Sequence, residues 1–169
     1  MYKVNIPKIK GIRRDYIRRK NMKRGFTLIE ILVVIGIIAI LAAVVLVAIN
    51  PSRQFKMARD SQRMSNVNAL LNAISQNIAE HRGVFTCGTT PLQLPTVATV
   101  VKSGSPGIDL ASCLVPSYVS ILPFDPSATG AHYVSPTDYN TGYVVYQDAE
   151  GRVTASSTGE MTPSISVTR

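Results

Sequence analysis

Histidine is nearly missing from this chain: among 169 residues only His81 and His132 carry an imidazole, and their spacing matches no metal-ligand pattern. No Ser-His-Asp, Cys-His or paired-carboxylate arrangement is legible, so the sequence predicts a protein that is not an enzyme and uses no cofactor. Cysteine is just as scarce. Cys87 and Cys113 are the only two; such a pair fits one structural disulfide in an oxidising compartment, with two unpaired small buried residues as the blander alternative. Acids are thin at the N-terminus, where Asp15 alone faces ten lysines and arginines within residues 1–25, a local net of +9. From Phe26 onward eight basic side chains meet nine acidic ones, a net of −1. The overall charge of +8 therefore belongs to one short segment, and without it no electrostatic footprint for nucleic acid remains. A basic run beside an apolar one reads instead as a topology signal.

That apolar run is the strongest feature present. Residues 26–49, FTLIEILVVIGIIAILAAVVLVAI, contain only Thr27 and Glu30 as polar members. The 19 residues from Ile31 to Ile49 are all apolar or glycine, and as a helix they extend roughly 28 Å, about one bilayer core. An ordinary secretory signal has a much shorter apolar region, so this stretch is a transmembrane helix candidate. The basic segment before it places the N-terminus in the cytoplasm and the rest of the chain outside, in agreement with the cysteines.

Asn50-Pro51 follows, where proline removes a donor and implies a kink or break at Pro51. Between Gln54 and Glu80 the residues Met57, Met64, Leu71 and Ile78 fall seven apart, with Val67, Leu70 and Ile74 filling the same stripe. Arg53, Lys56, Arg59, Asp60, Arg63 and Asn66 lie mostly elsewhere on the wheel, which predicts an amphipathic helix with its charges in solvent. Gly83 is a natural C-terminal cap. One long helix, bent or locally melted near Pro51, is thus expected over about residues 26–81.

From Val84 the composition shifts to Thr, Ser, Gly and Pro with short β-branched and aromatic runs. Candidate strands are Thr96 to Val101, Tyr118 to Leu122, Gly142 to Gln147 and Arg152 to Ser156, the last two joined as a hairpin through Asp148-Ala149-Glu150-Gly151. The tail from Ser157 is either an edge strand or mobile. Tyr133, Tyr139, Tyr143 and Tyr146 gather near the hairpin, where packing on a strand face explains them better than an adhesive surface. The expected class is α+β: a long kinked helix packed on a small antiparallel sheet.

Residues Lys23-Arg24-Gly25-Phe26-Thr27-Leu28-Ile29-Glu30 carry the chemistry. Gly25 has no side chain and leaves the backbone free to extend, while Lys23 and Arg24 hold it at the headgroup layer. An ionised Glu30 inside an apolar span costs about 2.5–3.5 kcal/mol even on the gentler insertion scales, and it needs a partner that the span does not contain. Its position in the first helical turn faces the favourable end of the helix dipole.

These eight residues resemble the recognition sequence of type IV prepilins and pseudopilins. The resemblance implies that a membrane-embedded prepilin peptidase cuts on the cytoplasmic side between Gly25 and Phe26, and that Phe26 becomes the N-methylated first residue. Cleavage would free an α-ammonium for Glu30 of a neighbouring subunit, setting axial register. The expected organisation is then a basic leader, 1–25, that is removed; a membrane and filament-core helix, 26–50; an amphipathic helix, 51–82; and a β-rich head, 83–169. Expected partners are copies of the chain or related pilins, the peptidase, pilus or secretion assembly machinery, and the membrane before assembly. The expected location is the cytoplasmic membrane with the head outside, followed by an extracytoplasmic filament serving adhesion, motility, DNA uptake or secretion.

Pro51 sits a few residues later than the proline of most pilin helices, and the leader exceeds the commonest short form. Pro123-Phe124-Asp125-Pro126 is similar to a segment of secretion pseudopilins that precedes a calcium-holding loop. Calcium needs six to eight oxygens and no interleaved run of aspartates supplies them, so Asp125 is a weak candidate and turn initiation is its plainer job. The rival reading from a different class is a permanently anchored extracytoplasmic binding protein that keeps residues 1–25.

Overall fold

The computed structural model describes residues 25–169; the leader positions Lys23 and Arg24 lie outside the described residues. By internal packing the chain divides after Val45. Helix α1, Leu28–Ile49, starts immediately after Thr27, and every one of its residues is exposed. Its 22 residues, with a mean hydropathy of 3.4 over an 18-residue window, make it long and apolar enough to cross a membrane.

Helix α2, Pro51–Glu80, is a separate element. The break expected near Pro51 falls at Asn50, which takes a left-handed conformation (φ 48°) and accepts the Arg53 N–H on its side chain at 3.3 Å. The residue types explain the break. Pro51 has no N–H with which to continue the α1 ladder, yet its fixed φ suits the first position of a new helix, and asparagine tolerates the left-handed region better than most residues. At the other end the Gly83 N–H reaches back to the Ile78 carbonyl at 2.8 Å while Arg82, with φ 57°, takes the left-handed position before it. Gly83 itself has φ 92°, so the expected glycine stop stands where the chain needs positive φ, with Arg82 sharing that conformation just before it.

The head is built on a five-stranded antiparallel sheet ordered β3–β5–β6–β7, with β4 also paired to β5. Its strands are β3 (Thr99–Lys102), β4 (His132–Ser135), β5 (Asp138–Gln147), β6 (Val153–Ser157) and β7 (Ile165–Thr168). Strands β5 and β6 form the expected hairpin, with Gln147 opposite Val153 and Gly151 at φ 82° in the turn. The tail does supply an edge strand, β7. A short pair, β1 (Thr86–Cys87) with β2 (Thr90–Pro91), and a one-turn helix, α3 (Ala111–Leu114), complete the head.

Burial alternates along β5, so Tyr139, Thr141, Tyr143 and Val145 point inward. They share a core with Val67, Leu70, Leu71 and Ile74 of α2 and with Leu110, Leu114 and Leu122. Three expectations fail. Tyr118 to Leu122 is not a strand: it lies between Pro116 and Pro123, which offer no N–H to a ladder, and only Leu122 is fully buried while Ile121 is exposed. The first strand is shorter and later than Thr96 to Val101. The α2 stripe also differs, because Met57 and Met64 remain exposed whereas Asp60 and Arg63 are buried.

Candidate functional site

At the start of the described chain, Gly25, Phe26 and Thr27 precede the helix and are all exposed. A Cβ added at Gly25 would meet no atom within 4 Å, and the residue does not adopt positive φ. Among the described residues, then, no packing contact requires glycine at this position. Phe26 is 79% exposed. Thr27 accepts the Glu30 N–H on its hydroxyl at 3.2 Å, capping α1. The signal for that cap was in the sequence as Thr27-x-x-Glu30, a capping-box pattern.

Glu30 lies in the first turn of α1, exposed, with aliphatic residues on both sides. Among the described residues no cation stands within ion-pair distance of it. A carboxylate in that setting is an acceptor that no cation answers among the described residues, and an ionised one is costly inside an apolar span.

Asp125 is answered from within. Arg63 grips it with two parallel bonds, Nε to Oδ2 at 2.7 Å and Nη2 to Oδ1 at 3.0 Å, the fork geometry that suits guanidinium and carboxylate. The N–H groups of Ser127 and Ala128 donate to Oδ1 at 2.9 and 2.8 Å. Burial works against the Asp125 carboxylate, but Arg63 and these N–H groups outweigh it and hold the carboxyl below its ordinary range. The cation that Asp125 holds is thus a side chain, 62 residues earlier in the sequence. Among the described residues no group of three or more His, Cys, Asp or Glu side chains is placed to hold a metal ion.

The same guanidinium reaches Asp60, Nη1 to Oδ1 at 2.7 Å. Asp60 in turn accepts three consecutive backbone N–H groups from the C-terminal segment: Glu160 at 2.8 Å, Met161 at 2.7 Å and Thr162 at 3.0 Å. The Glu160 N–H above all, with Met161, Thr162 and Arg63 behind it, lowers the Asp60 carboxyl despite burial. Glu160 closes the circuit through Arg59, bidentate at 2.6 Å. Gly159 passes so close that a Cβ would collide with the Thr162 carbonyl and press on Asp60 Oδ2. The cluster ties α2, the 125–128 turn and the segment before β7 together, and every buried side-chain N or O among the described residues has a partner.

Cys87 and Cys113 are disulfide-bonded, linking β1 to α3. The four tyrosines separate: Tyr139 and Tyr143 are fully buried, whereas Tyr133 and Tyr146 are half-buried. Tyr139 uses its hydroxyl to donate to Asp109 at 2.7 Å and to accept the Leu110 N–H at 2.9 Å, a polar clasp inside the core.

In comparisons with known proteins, residues 20–46 match the family described as Prokaryotic N-terminal methylation motif. No curated protein and no solved structure matches the chain.

Proposed function

Since the chain carries the type IV prepilin-type signature at its N-terminus, which indicates prepilin-type processing and a membrane-anchored, pilin-like structural subunit, we propose that it is cut between Gly25 and Phe26, N-methylated at Phe26 and assembled through α1 into an extracytoplasmic filament. The observation that carries this reading is Glu30: an acid without a partner among the described residues, on an uncovered apolar helix, four residues beyond the proposed new terminus. In the bilayer Glu30 is one turn from the cytoplasmic interface and reaches water. When helices bundle away from water that escape is lost, and the α-ammonium of Phe26 on a neighbouring subunit supplies the missing charge. The pairing makes one axial offset between neighbours better than the others, because only one offset brings amine and carboxylate together.

The sequence of charge changes gives the process a direction. The leader's +9 keeps residues 1–25 in the cytoplasm. Its removal leaves one amine and one carboxylate at the inner end of the span, and these cancel once paired.

Two measurements test this reading. Intact-mass analysis of the chain from a host with the peptidase should show a product beginning at methylated Phe26; a retained leader would make it a permanently anchored protein and end the filament reading. Glu30→Ala should insert in the membrane normally yet reduce fibre yield at least about tenfold, since an unpaired ammonium left in the bundle costs several kcal/mol. Fibres of normal yield and subunit order would falsify the pairing.

A further inference from the structure

Helix α2 begins with a stretch that the head does not use. Residues 51–58 are all exposed, and the first partly covered side chain is Arg59. Phe55 keeps 64% of its surface and Met57 46%. Arg53 and Lys56, three residues apart and so neighbours on the helix surface, make no ion pair among the described residues. The sequence contains no acid between Glu30 and Asp60. Two cations and two large apolar side chains therefore alternate on an uncovered helical neck with no negative charge of its own.

Its position along the chain says what complements it. Helix α1 ends at Ile49, and Arg53 is four residues on, within about 14 Å of that end whatever course the backbone takes at Asn50. A bilayer adds roughly 5–7 Å of headgroup region on each side of its hydrocarbon core. When α1 spans that core, the neck emerges among phosphates, with acyl chains immediately beneath. Guanidinium and ammonium groups suit phosphate oxygens, and an aromatic ring suits the boundary between headgroup and hydrocarbon.

We propose that residues 51–58 form a collar in the outer headgroup layer of the membrane-inserted chain, Arg53 and Lys56 holding lipid phosphates and Phe55 resting at the acyl boundary. The collar is the outer counterpart of Lys23 and Arg24, and between them the two cationic bands fix the depth at which the Gly25–Phe26 bond lies. The occupant is the phospholipid headgroup, on grounds of charge complementarity and of continuity with the apolar span. This rests on the membrane-anchored stage of the function proposed above, but not on cleavage or assembly.

The test uses the uncleaved full-length chain. It has no tryptophan, so Phe55→Trp gives a single indole at the collar. The protein is reconstituted in phosphatidylcholine vesicles with and without phosphatidylglycerol, and insertion of α1 is scored separately by resistance to alkaline extraction. The collar predicts blue-shifted emission, quenched more by lipids brominated near the headgroup than near the chain ends and enhanced by phosphatidylglycerol. Adding Arg53→Gln and Lys56→Gln should reduce the shallow quenching about twofold and erase the response to anionic lipid, in keeping with the attraction of each basic residue to an anionic surface. Water-like emission with α1 inserted overturns the collar while leaving the anchored reading intact. A dry indole indifferent to lipid charge also overturns it and assigns the neck to contact between chains, whereas failure of α1 to insert removes the membrane stage and the collar together.

Discussion

Glu30 and Asp60 are both carboxylates on helices rich in aliphatic residues, and the protein treats them in opposite ways. Asp60 is 7% exposed and is met by three backbone N–H groups and a guanidinium. Glu30 is exposed on a helix with no buried residue; its N–H donates to the Thr27 hydroxyl, and its carboxylate has no partner among the described residues. A buried acid whose needs are met at home contributes to the shape of the head. One without a partner among the described residues, on an uncovered apolar helix, contributes nothing to that shape. On the function proposed above, the difference between them separates folding chemistry from assembly chemistry within one chain.

Breaking the answered side should give the largest effect on folding. Arg63→Met removes the one side chain that both Asp60 and Asp125 share, leaving two buried carboxylates without their cation. Loss of one partner of a buried ionic cluster costs about 3–5 kcal/mol, so thermal melting of the full chain in detergent, followed by tyrosine near-UV circular dichroism, should shift down steeply or show no cooperative transition. Glu30→Ala should leave that melt unchanged. If the two substitutions affected the melt alike, the division between the two acids would not hold.

This contrast also explains what could be read from the residues alone. Helix α1, Gly25, Glu30 and the β5–β6 hairpin announce themselves locally, through an unbroken apolar run, a short motif and a four-residue turn ending in glycine. The head's ionic cluster does not. Asp60 and Arg63 carry the residue types of a solvated helix face, and what buries them arrives from Asp125 and Glu160, some 62 and 100 residues further along. Met57 and Met64 depart in the other direction: Met57 precedes Arg59, the first covered side chain of α2, whereas Met64 lies past buried Asp60 and Arg63, at the edge of the face they share with Val67. Tyr118 to Leu122 had strand composition, but the flanking prolines outweighed it. Strand β4 carried no signal of its own, and the tail left edge strand and mobile segment both open; pairing with β5 and β6 sets the places of β4 and β7.

Acid should sharpen the comparison with a smaller, graded effect. Glu160 is held down to about 2 from 4.5, first by the Arg59 guanidinium and then by Ser127 and Arg63 against some burial; Asp60 and Asp125 are lowered as well. Folded-state values below the unfolded ones mean that the stabilisation is fully present above the unfolded values. It is lost as protons bind on the way down through the folded ones. The part of the melting temperature that this cluster supports should therefore be flat above about pH 5 and fall progressively from about pH 4.5 toward 2. Glu160→Gln should flatten part of that fall. A melt indifferent to pH over this window would mean that the cluster does not hold the C-terminal segment in solution.

The smallest effect belongs to the start of α1, where one local bond substitutes for the network that the head enjoys. The Thr27 hydroxyl is the sole side chain satisfying an N–H of that first turn among the described residues, and losing such a cap costs typically about 1 kcal/mol. Thr27→Val keeps the shape and removes the acceptor. Exchange of the Glu30 amide, followed by NMR in detergent micelles, should then accelerate about fivefold, while amides of β5 and β6 keep their rates. The direction matters more than the size: a first turn that frays moves the Glu30 carboxylate relative to Phe26, so the same variant should lower fibre yield less than Glu30→Ala does. An unchanged Glu30 amide would show that the turn is held by packing against neighbours or lipid, and that the N-terminal region depends on its surroundings even for its first hydrogen bond.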